Sequence, residues 1–532
     1  MANNDKNGKK LWNAMIYLAG ENNLAEECVF ALKEMKRARP RNNEVTNSQI
    51  AQLVKVIAQL DAGGLGGNEI RYILTGEDED GVLEKDVITR KDTTETSYRG
   101  VLKDFISSSI ILDGFAEHYF VGLSGHGSGP NGDFLSRDVE SPDTLSIPKV
   151  QWVLREVNES LRNHFGAIRI PDDFKIDVLG LDSCMMSNAE VGYELRNYVK
   201  YMVGAEGFEP NMGWPYERIL SALLSNPAME PTELALTIVQ RYVDYYSDFM
   251  PAGRSVDQAA CDLSKCDALA VAVKGLADAL IEGLKSEETL RQIVLAHWEA
   301  QSYKDDQYVD LYDFCDLLDR GPAQAAAGSP PTGSVVMKGL KVDQKIVDAC
   351  RAVKKVLTGK AQDDDPKPEA PMVLQSCYSG PAVQYSHGLS VYFPWSHVVE
   401  SYKDLEFAED TGWREFLMKY VEVTRRGKRL CSSASPENPG DVVEGKLFFD
   451  ASVSGFDFLL TGNNKDAPTV NRIFSNKVGT MKNPPVDFLT CECKQLYSSN
   501  STSRGQSENN MAAQGPDAQK NKRPAVPKKN KR

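Results

Sequence analysis

Two short stretches of the chain hold side chains that could do covalent chemistry together. His118–Leu123 (HYFVGL) runs into Ser124-Gly125-His126-Gly127-Ser128-Gly129, setting an imidazole among glycines. Ile176–Leu181 (IDVLGL) runs into Asp182-Ser183-Cys184-Met185-Met186, setting a thiol at a corresponding place 58 residues later. Both apolar runs read as buried strands, and the carboxyl ends of parallel strands are where open α/β sheets build their sites. A thiol is nucleophilic as thiolate, and a neighbouring imidazole takes its proton or stabilises it as an ion pair, the minimum arrangement for Cys-dependent acyl transfer. Glycine on both sides of His126 lets backbone approach a substrate closely, and the amides of Gly127 and Cys184 are natural oxyanion donors. Either motif alone has a plainer reading, a small buried hydrophobe at a strand end or a simple turn. Their joint placement favours catalysis. Of the other histidines, His118 starts a strand, His164 and His297 lie in helical segments, and His397 follows a Pro-Trp turn. His387 precedes the strand Leu389–Phe393 (LSVYF), an order that would put it at the opposite edge if that strand is parallel, and it reads as a structural residue.

The elements that must position these groups follow from periodicity. Leu11–Ala19 is a short apolar run followed by Asn22, Asn23 and a segment with Leu24, Cys28, Leu32 and Met35 at helical spacing. Val54–Leu60 is a second strand that ends at Asp61 and a Gly-rich turn, after which Arg71–Thr75 forms an antiparallel edge. Helical periodicity from Pro148 to Leu161 and from Ala189 to Tyr198 separates the two chemical strands from a further one, Tyr201–Ala205. Strands alternating with helices imply an α/β fold with a mostly parallel sheet covered on both faces.

The predicted organisation is a catalytic domain over 1–253 and a helix-rich second region over 254–430 that returns a strand to the sheet. A small β-containing appendage follows over 431–497 and a disordered basic tail over 498–532. Within the second region Leu269–Leu284 and Glu288–Trp298 are the clearest helices, and LSVYF is the strand expected to pair.

Composition bounds the function class. The chain has 532 residues, 41% hydrophobic and 26% charged, with ten cysteines and a net charge of -14. Those fractions describe an ordinary globular protein of several domains. Its acidic body repels nucleic acid and anionic lipid. From Pro516 to Arg532 the local balance is +6, but without interleaved aromatics this end reads as a solubilising tail, not a nucleic-acid site. The scattered cysteines form no disulfide scaffold and no zinc ladder. A polar N-terminus without a cleavage site, and the lack of 18 uninterrupted apolar residues, lead to the expectation of a cytoplasmic, membrane-free protein, with export left open.

At this point the residues resemble the clostripain-like cysteine peptidases of the caspase-like clan. The matching stretches are WNAMIYLAGENNL at 12–24, HYFVGLSGHGSG at 118–129, IDVLGLDSCMMSNAEVGYELRNY at 176–198, YMVGAEGFEPNMGWPY at 201–216, YVDLYDFCDLL at 308–318 and HGLSVYFP at 387–394. The resemblance implies a caspase-like α/β/α sandwich and peptide-bond hydrolysis by a His126 and Cys184 dyad through an acyl-enzyme intermediate.

It also implies cleavage after Arg or Lys, which needs a desolvated carboxylate in the pocket. Asp182 matches one acidic position; its alternative is a strand-end aspartate that caps the next helix. A second acid is expected near the EP-x-x-GW stretch, where Asn211 and Met212 stand, so Glu206 or Glu209 is the substitute candidate. Trp214 is a candidate groove wall, with core packing as its alternative. Maturation by internal cleavage points to Arg137 and Lys149. Asp133, Asp138, Glu140 and Asp143 are the carboxylates that the calcium dependence of some relatives brings to mind, though their spacing matches no calcium loop and no required cofactor or metal ligand is expected. Peptides or proteins are the expected partners, and the oligomeric state is not legible. The competing reading is a catalytically idle caspase-like module that binds peptides without cleaving them.

Overall fold

The computed structural model describes residues 10–433 except 41–51, 62–67, 75–85, 93–97, 114, 133, 136–144, 168–169, 248–254, 304–306, 320–341, 362–367 and 396. Apart from residues 431–433, which end the last helix, the appendage and tail expected after residue 430 lie outside the described residues. So do Arg137, Asp133, Asp138, Glu140 and Asp143.

Among the described residues twelve strands are formed: β1 (Lys10–Ala19), β2 (Val54–Asp61), β3 (Asn68–Ile73), β4 (Val87–Asp92), β5 (Ala116–Ser124), β6 (Ile176–Asp182), β7 (Val199–Gly204), β8 (Val256–Asp262), β9 (Ser302–Tyr303), β10 (Tyr308–Asp310), β11 (Val373–Ser379) and β12 (Ser390–Tyr392). Nine of them make one sheet in the order β11-β8-β7-β6-β5-β1-β2-β3-β4. The central run β7-β6-β5-β1-β2 is parallel, and antiparallel pairs finish both edges.

The sheet is buried on both faces because side chains alternate across it. Along β1, Met15 and Tyr17 join one core with Val121, Leu123, Leu179 and Leu181, against helices Tyr98–Asp113 and Ile147–Phe165. Ala14, Ile16 and Leu18 face the other way, joining Phe120 and Val178 against helices Ala25–Arg37, Tyr216–Ser225 and Pro231–Ser247. Two-sided burial explains why these strands read as continuous apolar runs and not as alternating ones. Fully burying each Leu or Ile contributes about 1.5–3 kcal/mol, so β1 and β5 form the rigid centre on which loops can be positioned.

The expected strands are present with small shifts of boundary. The LSVYF strand differs in its pairing. Its residues Ser390–Tyr392 form β12, which pairs antiparallel with β10 in a separate three-stranded sheet; the strand joining the large sheet from this part of the chain is β11, antiparallel to β8. His387 therefore does not lie at the opposite edge. The Gly388 amide donates to Glu206 Oε2 (2.7 Å), and Glu206 follows the carboxyl end of β7. Its structural role has a visible basis in Asp310, whose Oδ1 lies 3.3 Å from His387 Nδ1.

Candidate active site

Strand register sets the site. In the sheet Leu18 of β1 lies beside Ser124 of β5, and Ser124 beside Asp182 of β6, so three neighbouring strands end at one level. His126 and Cys184 each follow that level by two residues. The Gly125 amide donates to the Asp182 carbonyl (3.2 Å), holding the two exits together. A Cβ added to Gly127 would lie 2.5 Å from the Cys184 carbonyl oxygen, 2.9 Å from Ser183 Cβ and 3.2 Å from the Cys184 nitrogen. Only glycine permits this approach, and it puts the residue after the imidazole directly against the residue that bears the sulfur. Neither the Gly127 amide nor the Cys184 amide donates to another described residue.

The turn after the thiol is tight. Met185 has φ 59°, the left-handed region that side chains other than glycine seldom enter, and its amide donates to the Gly207 carbonyl (2.9 Å). The segment after β7 thus runs alongside the cysteine. The Glu209 amide donates to Cys184 Sγ (3.3 Å), and the thiol faces the Glu209 carbonyl at 3.7 Å. Burial, reinforced by the Glu209 carboxyl, pushes the Cys184 thiol up to about 11. This upward push opposes the lowering that an ion pair with His126 would bring.

Sequence reasoning missed a partner of the imidazole. Asn23, in the loop after β1, places Oδ1 2.6 Å from His126 Nε2. Where the Asn23 carbonyl oxygen is the acceptor, Nε2 bears the hydrogen. A usable signal was present in an asparagine pair at the carboxyl end of a strand.

Below the sulfur lies a buried acid pair. Asp182 Oδ2 accepts from the Tyr216 hydroxyl (2.9 Å), and Glu209 Oε1 accepts from Trp214 Nε1 (3.2 Å) and Gln258 Nε2 (3.1 Å). Asp182 Oδ1 and Glu209 Oε2 have no hydrogen-bond partner among the described residues, and the two carboxyls lie close enough to act on each other. Two carboxylate oxygens can meet only with a proton between them. Burial pushes both acids up, and the Asp182 charge raises Glu209 further. Gly213, with φ 64°, closes over the pair: a Cβ there would lie 2.9 Å from Asp182 Oδ1. The helix-capping alternative for Asp182 does not apply, since the next helix, Ala189–Leu195, begins at Asn188 without a side-chain cap.

Glu206 is not brought to this pair. It is fully buried, bound to the Gly388 amide, and pushed well up by burial and by the carboxylates of Asp310 and Asp257. Asp257 in turn accepts from the amides of Glu206 (2.6 Å) and Gly207 (3.0 Å). Trp214 is corrected as a groove wall. Its ring is 0% exposed, and a Cβ on Gly180 would meet Cζ3 at 2.7 Å, so it is core that orients Glu209 through its indole N–H. Lys149 lies in the first turn of Ile147–Phe165, in hydrogen-bonded helix and not extended backbone. Among the described residues no group of three or more His, Cys, Asp or Glu could hold a metal ion, and no helix is long and apolar enough to cross a membrane.

The comparisons agree with this geometry. No curated protein matches the sequence. The solved structures that resemble it include a secreted cysteine protease from Bacteroides thetaiotaomicron in complex with an irreversible peptide inhibitor, 17% identical with a TM-score of 0.51, over 76% of this chain and 99% of that one. A second structure of a secreted cysteine protease from that organism, called iotapain, is 13% identical with a TM-score of 0.51, over 76% of this chain and 99% of that one. At such identity the likeness speaks for the fold, a caspase-like sheet between helices. The model of the clostripain family matches residues 16–346, more than half of the chain and inclusive of both chemical motifs. The chain therefore belongs to the clostripain family and is a cysteine-type peptidase whose substrates are peptides or proteins.

Proposed function

We propose that the enzyme is an endopeptidase that cleaves after Arg or Lys through His126 and Cys184. The observation that carries this reading is the approach of Gly127 to the Cys184 backbone, which leaves two undonated amides beside one sulfur. His126 Nδ1 takes the thiol proton as sulfur attacks the scissile carbonyl, and the developing oxyanion is held by the amides of Gly127 and Cys184. The imidazolium then protonates the leaving amine, and water, deprotonated by the same imidazole, releases the acyl group. With its thiol pushed up to about 11, the pair acts as nucleophile and general base and not as a standing ion pair.

One negative charge held between Asp182 and Glu209 would match a cationic P1 side chain, because a buried cation needs one compensating anion. Every proton in this scheme moves between substrate, water and the dyad; calcium, if required, would fall on carboxylates outside the described residues. The secreted status of the two Bacteroides enzymes favours export over the cytoplasmic compartment expected from sequence. Self-cleavage would fall at Arg137, since Lys149 would first have to leave its helix.

The test uses fluorogenic Arg, Lys and Asp peptides with wild type and Cys184→Ala, whose melting curves should coincide. Cleavage of the Arg and Lys peptides by wild type alone is expected. Equal background rates on every peptide would instead favour the idle binding module.

A further inference from the structure

Beyond P1, the loop that contacts the sulfur presents an apolar surface that the chemistry does not use. Residues 205–209 run beside Cys184, and within them Ala205, Glu206, Gly207 and Glu209 are buried whereas Phe208 is turned out to solvent. Phe208 is 61% exposed, and Met212, four residues on, is 42% exposed. These are two of only seven large hydrophobic side chains so exposed among the described residues. A phenylalanine left in water one residue from the amide that touches the sulfur costs burial energy unless something covers it. The Phe208 amide and carbonyl also bond to no other described group, although the amides of Glu206, Gly207 and Glu209 are all engaged.

We infer that Phe208, with Met212, forms a subsite for an aliphatic or aromatic substrate side chain at the position immediately before the cleaved residue. This rests on the proposed cleavage after Arg or Lys. The occupant follows from alternation. A peptide whose P1 side chain turns inward to the acid pair turns its P2 side chain to the opposite face, the face to which Phe208 points. An extended substrate would also satisfy the free amide and carbonyl of Phe208. A charged P2 residue would gain nothing from this surface and would lose hydration against it.

The experiment compares peptide substrates with Arg fixed at P1 and Leu, Gly or Asp at P2, for wild type, Phe208→Ala and Phe208→Leu. Wild type is expected to favour Leu over Gly by about 10-fold in kcat/KM, the discrimination of one modest apolar contact. Phe208→Ala should bring that ratio to within about 3-fold, and Phe208→Leu should restore most of it. Cleavage of all three peptides without P2 preference, or a Leu preference unchanged in Phe208→Ala, would overturn the subsite while leaving cleavage after Arg intact. A preference that appears at the position after the cleaved bond would overturn it too. If wild type cleaves none of the peptides, the proposed function fails and the subsite with it.

Discussion

Asp182 and Glu209 are buried beside each other beneath the Cys184 sulfur, and burial pushes both carboxyls up. Tyr216 donates to Asp182 Oδ2, and Trp214 and Gln258 both donate to Glu209 Oε1, so a proton shared between the two acids would sit on Glu209 Oε2 and leave the charge on Asp182.

The two acids should therefore respond differently to neutralisation. Glu209→Gln replaces a neutral donor with a neutral donor, so kcat/KM on Arg peptides should stay within about 3-fold of wild type. Asp182→Asn removes the charge itself and should cost on the order of 100-fold on Arg and Lys peptides, as expected for a lost charged hydrogen bond worth up to about 3 kcal/mol. Equal losses in both variants would refute the shared-proton assignment.

The thiol makes a second test. Alkylation follows the thiolate fraction, so with the thiol pushed up to about 11 the iodoacetamide rate at Cys184 should climb steadily between pH 7 and pH 10. It should stay ahead of Cys28 and Cys261, both pushed up to about 12 by burial. A plateau reached already at neutral pH would mean a standing thiolate and imidazolium.

Asn23 should act through the orientation of His126. Asn23→Ala frees the ring to rotate and is expected to lower kcat by about 10-fold or more with little change in KM, a part of what a positioned base supplies. In Asn23→Asp, a carboxylate replaces the amide and should raise the basicity of the imidazole, moving the acidic limb of the pH–rate profile upward. A parallel loss of melting temperature and activity, with an unmoved pH profile, would reduce Asn23 to a structural residue.

Stability should fall as the pH rises. Burial pushes Glu34, Glu190 and Glu194 each up to about 7, above their unfolded range near 4.3. Between those values the folded state holds more protons than the unfolded chain, so ΔG of unfolding decreases with increasing pH. The contribution is fully present below about pH 4 and is lost as the pH passes 7. Melting should occur at higher temperature at pH 5 than at pH 8. Glu190→Gln keeps an oxygen for the Tyr392 amide and the Tyr402 hydroxyl and should flatten this slope. A slope that is the same in wild type and variant would remove Glu190 from the account.

The alternation of β1, β5 and β6 with helices was legible because strands buried on both faces must be apolar along their whole length, and so was the exit of His126 and Cys184 at one edge. β8 was not legible: Asp257 and Gln258 look like surface residues, yet they are buried because they hydrogen-bond the loop after β7. The same limit hid Asn23, and it left Glu206 and Glu209 indistinguishable. A residue's type determines what it can donate, accept or bury, and periodicity determines which strand it ends. Which acid meets Asp182, which oxygen meets the imidazole, and whether Trp214 faces solvent or core depend on contacts between segments far apart in the chain. Those contacts exist only once the sheet has set its strands in register.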